Sequence, residues 1–548
     1  MAAAPAEPAQ IAEEGAGALV RGEAQAAVYN YTEALKDTAL PNDRRAAILN
    51  DRGVANVKLG QTRQAFEDFN LAAQLFPEFA AVYNNRGNLL LSLGLPKEAI
   101  KDFDRSLVLA PGYAAAYNNR AGALMRLGQT EDAIDDYTKS VKLMPANPAP
   151  LSGRGLAHLK LDRPQAAIRD FSRAVRADAR FAAGYRNRAE AKLEVESFDE
   201  AIEDLSRAIA FDPNHAESYL LRGRAYLSVR NMASAIKDFS KAAELDPRNA
   251  EAFAERGFAY ALAEVNEEAF TDLNKAIEID PRSGLAFAYR AHAYKRSGQI
   301  DVALRDIEVA QKLSPSVPEV YWVRAEIEEA QGQTEQAIAD LRKAQELRPG
   351  YRAAGESLQR LGAAPQQAEE REVAGAGVDT WRVVARGKRF FAMDDRYARL
   401  SVPLEMLGSG QPKLLEWQIK EAPFQGIGTL RFFAGQSGKD DIEMIAVVDF
   451  QAGVVVAVEP HKQGAKVATW SWDAGKVTVA SVDGVTDEFD LRAGAGDAMA
   501  GAVGGRRYTT TQTGAWAPWD SPLGGGFEQP APKRVKKKSK TLFDLLFN

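Results

Sequence analysis

Pro77, Pro111, Pro145, Pro213, Pro247, Pro281, Pro315 and Pro349 fall on one 34-residue register, and Ala179 takes the remaining place in it. A period held without a slip over nine copies means one supersecondary unit stacked on itself, since each unit buries its apolar face only against its neighbours. The period also limits function. A stacked array presents many similar positions along an extended surface, which suits holding a partner better than focusing one catalytic centre.

Numbering each unit so that the proline is position 32, position 8 is always Gly or Ala, from Gly53 and Gly87 through Ala325. Position 20 is always Ala, from Ala65 to Ala337, and position 27 is Ala or Ser, as at Ala72, Ser106 and Ala344. Helices whose axes approach to roughly 8–10 Å need small residues at the crossing and large ones beside it. The large ones are Tyr or Phe at position 4 (Tyr83, Tyr117, Tyr185, Tyr219, Phe253, Phe287, Tyr321) and mostly aromatic or Leu at position 24 (Phe69, Phe103, Tyr137, Phe171, Leu205, Phe239). The spacing predicts a helix, a turn, a second helix and a proline stop in every unit.

This pattern resembles the tetratricopeptide repeat, over about two thirds of the chain. Gly22, Ala27, Tyr31 and Ala34 repeat the spacing of Gly60, Ala65, Phe69 and Ala72 at an offset of 38, which predicts a divergent hairpin within residues 1–45 ahead of nine repeats at 46–349. Residues 350–362 read as a capping helix, and the resemblance implies a right-handed superhelical all-α solenoid.

Position 7 is Arg in all nine units and position 23 is Asp, as at Arg52 and Asp68. Identical charges in every repeat single out no part of a ligand surface. They are read as structural pairs between a first helix and a neighbouring second helix, tying repeats together. Variable positions carry the partner signal instead. The resemblance implies that positions 2, 5, 6, 9 and 13 face a concave groove. Early repeats place Asn50, Asn84, Asn85, Asn88, Asn118, Asn119 and Asn187 there. Later repeats place Leu221, Arg224, Phe258, Tyr289 and Trp322, a second candidate patch. A primary amide both donates and accepts, so an asparagine row can pair with the backbone of an extended peptide whatever its side chains. The lysine-rich carboxylate clamp of some relatives is not matched, because only its asparagines occur.

Residues 363–379, with a Glu-Glu-Arg-Glu run and Ala-Gly-Ala-Gly, read as a linker. From 380 to 492 the period gives way to runs of alternating or β-branched character, at 381–386, 399–404, 414–420, 442–450, 453–458, 466–472 and 476–482. They predict a small antiparallel β sandwich or barrel. Gly435-Gln436-Ser437-Gly438-Lys439 lacks the phosphate-loop spacing and sits between strands, as a hairpin tip does. Four His and no Cys exclude a Cys/His metal cluster and a thiol nucleophile. His461 reads as a surface residue, and no cofactor is called for.

Residues 493–532, rich in Gly, Ala, Pro and Thr, read as a disordered tether. Beyond it Lys533, Arg534, Lys536, Lys537, Lys538 and Lys540 precede Leu542, Phe543, Leu545, Leu546 and Phe547, so the last sixteen residues carry +5 against −6 for the whole chain. Such an end can dock on a partner or an anionic membrane surface. Nucleic acid is disfavoured, because the acidic remainder offers no basic groove.

The sequence therefore points to a multidomain α + β chain acting as a non-enzymatic interaction scaffold, with a protein or extended peptide as partner, and a second copy of the chain as another candidate. The alternative is a hydrolase or transferase whose β domain is catalytic and whose repeats select the substrate. No secretory signal opens the sequence, which reads as cytoplasmic as it stands; its Ala-Pro-rich opening, as after a cleavage site, would place it in the periplasm or envelope.

Overall fold

The computed structural model describes residues 8–348 and 351–363 and, within 370–490, twelve strands with some adjoining residues. The expected tether at 493–532 and the basic tail lie outside the described residues. The chain forms two compact units that divide between Pro145 and Ala146.

The first unit begins with a hairpin of helices, Pro8–Val20 and Ala24–Ala34, which is the divergent repeat expected from the offset spacing. Three repeats follow. In repeat 2 (residues 80–113) the first helix is Ala80–Ser92 and the second Pro96–Leu109. Between them Gly94 takes φ +76°, the left-handed conformation that lets a helix end and the chain reverse. Pro96 opens the second helix, where a missing N–H is harmless. The second helix stops at Ala110, extended at φ −136°, just before Pro111. Tyr83, at position 4, donates its hydroxyl hydrogen bond to the Pro77 carbonyl, linking the aromatic of one repeat to the proline of the previous one.

The predicted crossing is seen directly. A Cβ added to Gly53 or Gly87 would come within 2.6 Å of the Cε1 of Phe69 or Phe103. Both rings are buried, together with Ala65, Ala72 and Ala99. The first hairpin uses the same device, with Gly15 against Tyr31.

The invariant Arg and Asp meet, with one correction to the expected partner. Position 23 of the same repeat, sixteen residues on, receives the bidentate pair, as in Arg86 to Asp102 at 2.7 and 2.6 Å. The tie between repeats runs through the remaining guanidinium nitrogen. Arg86 Nη1 donates to Asn70 at 2.8 Å and Arg120 Nη1 to Asp104 at 2.6 Å, both at position 25 of the preceding second helix. The planar fork has five donors, enough to close its own hairpin and hold the one before it.

The second unit carries repeats 4–9 on the same plan, with Arg222 holding Asp238 and also Ser206 of the preceding repeat. Here Asp162, Glu196, Arg230 and Glu264 occupy the left-handed turn position that glycine fills in other repeats. The cap is the helix Arg352–Arg360, whose Ala354 and Leu358 complete the core of the last repeat. Its polar side reaches four repeats back, with Glu356 accepting from Arg230 at 2.8 Å.

The β region also belongs to this unit. Its strands are β1 (Glu370–Glu372), β2 (Arg382–Arg386), β3 (Arg389–Met393), β4 (Ser401–Pro403), β5 (Lys413–Ile419), β6 (Ile427–Ser437), β7 (Asp440–Asp449), β8 (Val454–Gln463), β9 (Lys466–Val467), β10 (Thr469–Asp473), β11 (Lys476–Ala480) and β12 (Thr486–Asp490). They form three antiparallel meanders, β1 to β4, β5 to β9 and β10 to β12. Val383, Ala392 and Val402 of the first share one core with Leu414, Leu430, Phe432, Met444, Ala446 and Val448 of the second, so two sheets close on each other as in a sandwich.

Two features depart from the sequence expectation. Strand β1 lies inside the segment expected to be a linker, pairing with β2, while Val373 and Ala376 join the core. A three-residue strand is too short to show alternation. Strands β3, β6 and β12 fall in none of the predicted runs; in β6, Gly428 and the bulge between Phe433 and Gly435 interrupt the pattern. Gly435, Gln436 and Ser437 lie at the end of β6, which pairs with β7 out to Ser437 and Asp440; Gly438 and Lys439 fall outside the described residues.

Candidate functional site

The first helices of repeats 1–3 bring five of the predicted asparagines into one hydrogen-bonded line. Positions 5 and 6 are adjacent in sequence, and the 34-residue period sets position 6 of one repeat beside position 5 of the repeat before. Asn118 donates to Asn119 at 3.2 Å, Asn119 to Asn84 at 2.9 Å, Asn84 to Asn85 at 3.4 Å, Asn85 to Asn50 at 2.9 Å, and Asn50 to the Asp51 carboxylate at 3.1 Å. Every amide points the same way, nitrogen toward the next oxygen, and the line ends on a group that in its ionised form only accepts.

Asp51 occupies position 6 of repeat 1, where repeats 2 and 3 have Asn85 and Asn119. It is 9% exposed, and burial pushes its carboxyl up to about 6 against a weaker downward pull from Asn50. Sequence reasoning passed over it; the signal was its place in the column of asparagines.

Each amide has two N–H donors and two acceptor lone pairs. The relay uses one of each on Asn85 and Asn119 and leaves one of each. Asn50 and Asn84 are buried, whereas Asn85, Asn88, Asn118 and Asn119 are half-buried. Asn88, at position 9, has no hydrogen-bond partner among the described residues. Small residues surround the row, Ala81 and Ala115 at position 2 and Gly122 at position 9 of repeat 3, while position 13 carries Lys58 in repeat 1 and Arg126 in repeat 3.

Asn187 lies in the second unit and donates to Ser152 Oγ at 3.2 Å, the same link from position 6 to the preceding position 5. The second predicted patch has a different character. Phe258 stacks on Tyr289 with centroids 4.1 Å apart, and Trp322 stands edge-on to Phe258 and stacks on His292. Phe258, Tyr289 and Trp322 belong to the core cluster of repeats 7–9, and Leu221 is 9% exposed in its own cluster. Arg224 is held by Glu251 and by Glu255 at 2.9 Å. Burial holds the Glu255 carboxyl above its ordinary range, although Arg224 beside it works the other way.

Among the described residues, no group of three His, Asp or Glu is placed to hold a metal ion, and no helix is long and apolar enough to cross a membrane. The side chains of the basic tail, Lys533 to Lys540, lie outside the described residues, and His461 falls in β8.

Comparison with known proteins agrees with this architecture. Tetratricopeptide-repeat family models match residues 80–113, 114–147, 153–216, 216–249 and 290–352. No family matches the β region. No curated protein matches the chain. Similar solved structures include a tetratricopeptide repeat protein from Parabacteroides merdae, 22% identical, covering 45% of this chain and 98% of that one with a TM-score of 0.41. YrrB, described as a TPR protein with an unusual peptide-binding site, is 24% identical over 34% of this chain and 96% of its own, with a TM-score of 0.30. MamA is 25% identical over 32% of this chain and 96% of its own, with a TM-score of 0.29. From its period, its crossings and the family-model matches, the helical part of this chain, across residues 80–352, is an array of tetratricopeptide repeats.

Proposed function

We propose that the chain is a non-enzymatic scaffold whose first three repeats capture an extended segment of a partner protein along the asparagine row. The observation that carries this is the relay itself. Five amides are oriented in one sense by Asp51, so the donors and acceptors left on Asn85 and Asn119 are fixed in direction, and Asn88 adds a whole amide beside them. An extended peptide offers alternating N–H and C=O groups, which a directional amide row matches without reading side chains. Preorganisation matters because amides already held by one another lose little freedom when a ligand arrives.

In this reading the β region supplies a second contact, and Lys533, Arg534, Lys536, Lys537, Lys538 and Lys540 dock the assembly on a partner or an anionic surface. Phe258, Tyr289 and Trp322 serve chiefly to hold repeats 7–9 together, since they spend their surface on one another, while Leu221 packs on repeat 5 and Arg224 is held by Glu251 and Glu255.

The test compares full-length chain with the Asn85→Ala/Asn119→Ala variant as baits in extract from the native host, with retained proteins quantified by mass spectrometry. Loss of a partner from the variant at unchanged helicity supports the reading. Equal retention by both rejects it.

A further inference from the structure

Position 24 holds Phe in repeats 1, 2, 4 and 6, an aliphatic residue in repeats 5 and 7–9, and Tyr in repeat 3 alone. Each of those phenylalanine rings lies under a glycine at position 8, because a Cβ there would run into the ring. Repeat 3 breaks the pairing: Ala121 stands at position 8, and the glycine comes one residue later, at Gly122. A Cβ on Gly122 would find one atom within 4 Å beyond its own helix and chain neighbours, the Tyr137 hydroxyl oxygen at 4.0 Å.

Tyr137 is 7% exposed, and among the described residues its hydroxyl has no hydrogen-bond partner. It differs from the Tyr31 hydroxyl, which is fully enclosed without a partner. Burial pushes the Tyr137 phenol up to about 12, so it keeps its proton at neutral pH and can donate. Packing does not require the oxygen, because Phe69, Phe103, Phe171 and Phe239 fill the same place without one. The Tyr137 oxygen is not among the enclosed, unpartnered side-chain atoms, so it faces accessible space in which water or a ligand group can pair with it.

We propose that the Tyr137 hydroxyl and the gap over Gly122 form a subsite of the asparagine row, taking a main-chain carbonyl of the bound peptide; this rests on the peptide reading above. Position 9 lies one helical turn from Asn118 and Asn119 on the same helix, and Asn88 holds the same position in the preceding repeat. The missing Cβ at Gly122 lets a peptide backbone come closer than any side chain would allow. A carbonyl fits better than a carboxylate, because the nearby Arg120 is committed to Asp136 and Asp104, and Arg126, one turn on, already donates to the Leu91 carbonyl.

The experiment pans a random dodecapeptide library on phage against the full chain, then measures the enriched peptides, synthesised with a fluorophore, by anisotropy. Tyr137→Phe should weaken them about tenfold, the scale of one lost hydrogen bond, with the melting temperature unchanged. Gly122→Leu, which fills the gap on a helix that tolerates leucine, should weaken them at least as much. Asn85→Ala and Asn119→Ala test the row separately. If those two weaken binding while Tyr137→Phe and Gly122→Leu bind like wild type, the subsite is overturned and the peptide reading stands. If only the Tyr137 and Gly122 variants weaken it, peptide is held at Tyr137 but not by the amide row, and both the row and its subsite as proposed are overturned. A library with no enriched peptide overturns both.

Discussion

The Asn119 side-chain nitrogen donates to the Asn84 oxygen at 2.9 Å, and Asn85 repeats the bond to Asn50 at the same distance one repeat earlier. Each bond joins residues 35 apart, one more than the period, so each links consecutive repeats through their inner helices. These asparagines are thus structural as well as available, and their removal has two consequences. Asn119→Ala should lower stability by about 1 kcal/mol, the net worth of a partly buried hydrogen bond, read as a lower urea midpoint at constant slope. An unchanged midpoint would mean the relay contributes nothing to stacking.

Asp51 should make the first unit sensitive to pH. Its carboxyl is raised by burial from an ordinary value near 3.8 to about 6, so the folded chain binds a proton more readily than the unfolded one across that window. Stability contributed by this group is therefore greatest below pH 4 and declines as pH rises toward 6, by on the order of 3 kcal/mol at most. Glu326, held down at about 2 by His292 and Lys295 against the upward push of burial, acts in the opposite sense at lower pH. The difference between wild type and Asp51→Asn isolates Asp51: the variant should gain on wild type as pH rises from 4 to 7.5, measured by urea unfolding. A difference constant with pH would place Asp51 in a more polar setting.

The pairing of position 8 with position 24 predicts a compensated double mutant. A Cβ on Gly155 would sit 2.6 Å from the Phe171 Cε1, so Gly155→Ala should cost about 1–3 kcal/mol through overpacking. Phe171→Leu should relieve most of that added cost, since Ala189 over Leu205 is the arrangement found in repeat 5. Additive single and double mutants in calorimetry would contradict the pairing.

Glu196 takes φ +61° on an exposed turn where five repeats have glycine. Glu196→Gly should stabilise by roughly 0.5–1 kcal/mol, the relief of a left-handed non-glycine residue less the added freedom of the unfolded chain. Arg230→Gly should gain less, because Arg230 in the same conformation also holds Glu356. Equal gains at both sites would show that this ion pair adds nothing.

Arg222 holds Asp238 through Nε and Nη2 at 2.7 and 2.8 Å and Ser206 through Nη1 at 3.0 Å. Arg222→Ala leaves the 4%-exposed Asp238 uncompensated and should cost about 3 kcal/mol or more, whereas Arg222→Lys, a single point charge without the fork, should recover only part. Full recovery by lysine would show that charge rather than geometry matters here.

The sequence alone determined the hairpins and their internal packing. The 34-residue period, the small residues at 8, 20 and 27 and the proline stops specify helix, turn and crossing, because steric fit within one hairpin is set by spacing along one short stretch of chain. The offset hairpin at Gly22 to Ala34 and the cap at Arg352–Arg360 were legible for the same reason. The assignment of the asparagines to one groove face came from the resemblance to the tetratricopeptide repeat rather than from spacing.

It could not give the distance between the same faces of successive helices, and that distance decided the rest. In repeats 1–3 it lets position 6 bond to the preceding position 5 and reveals Asp51 as the end of the line. In repeats 7–9, Ala254 and Ala288 at position 5 allow the first helices to pack directly on one another, and Phe258, Tyr289 and Trp322 become core rather than surface. The open space beside the Tyr137 hydroxyl belongs to the same class. A one-residue shift of glycine is visible in the sequence, but whether it leaves a void or is filled depends on how two helices lean together, which only the tertiary structure decides.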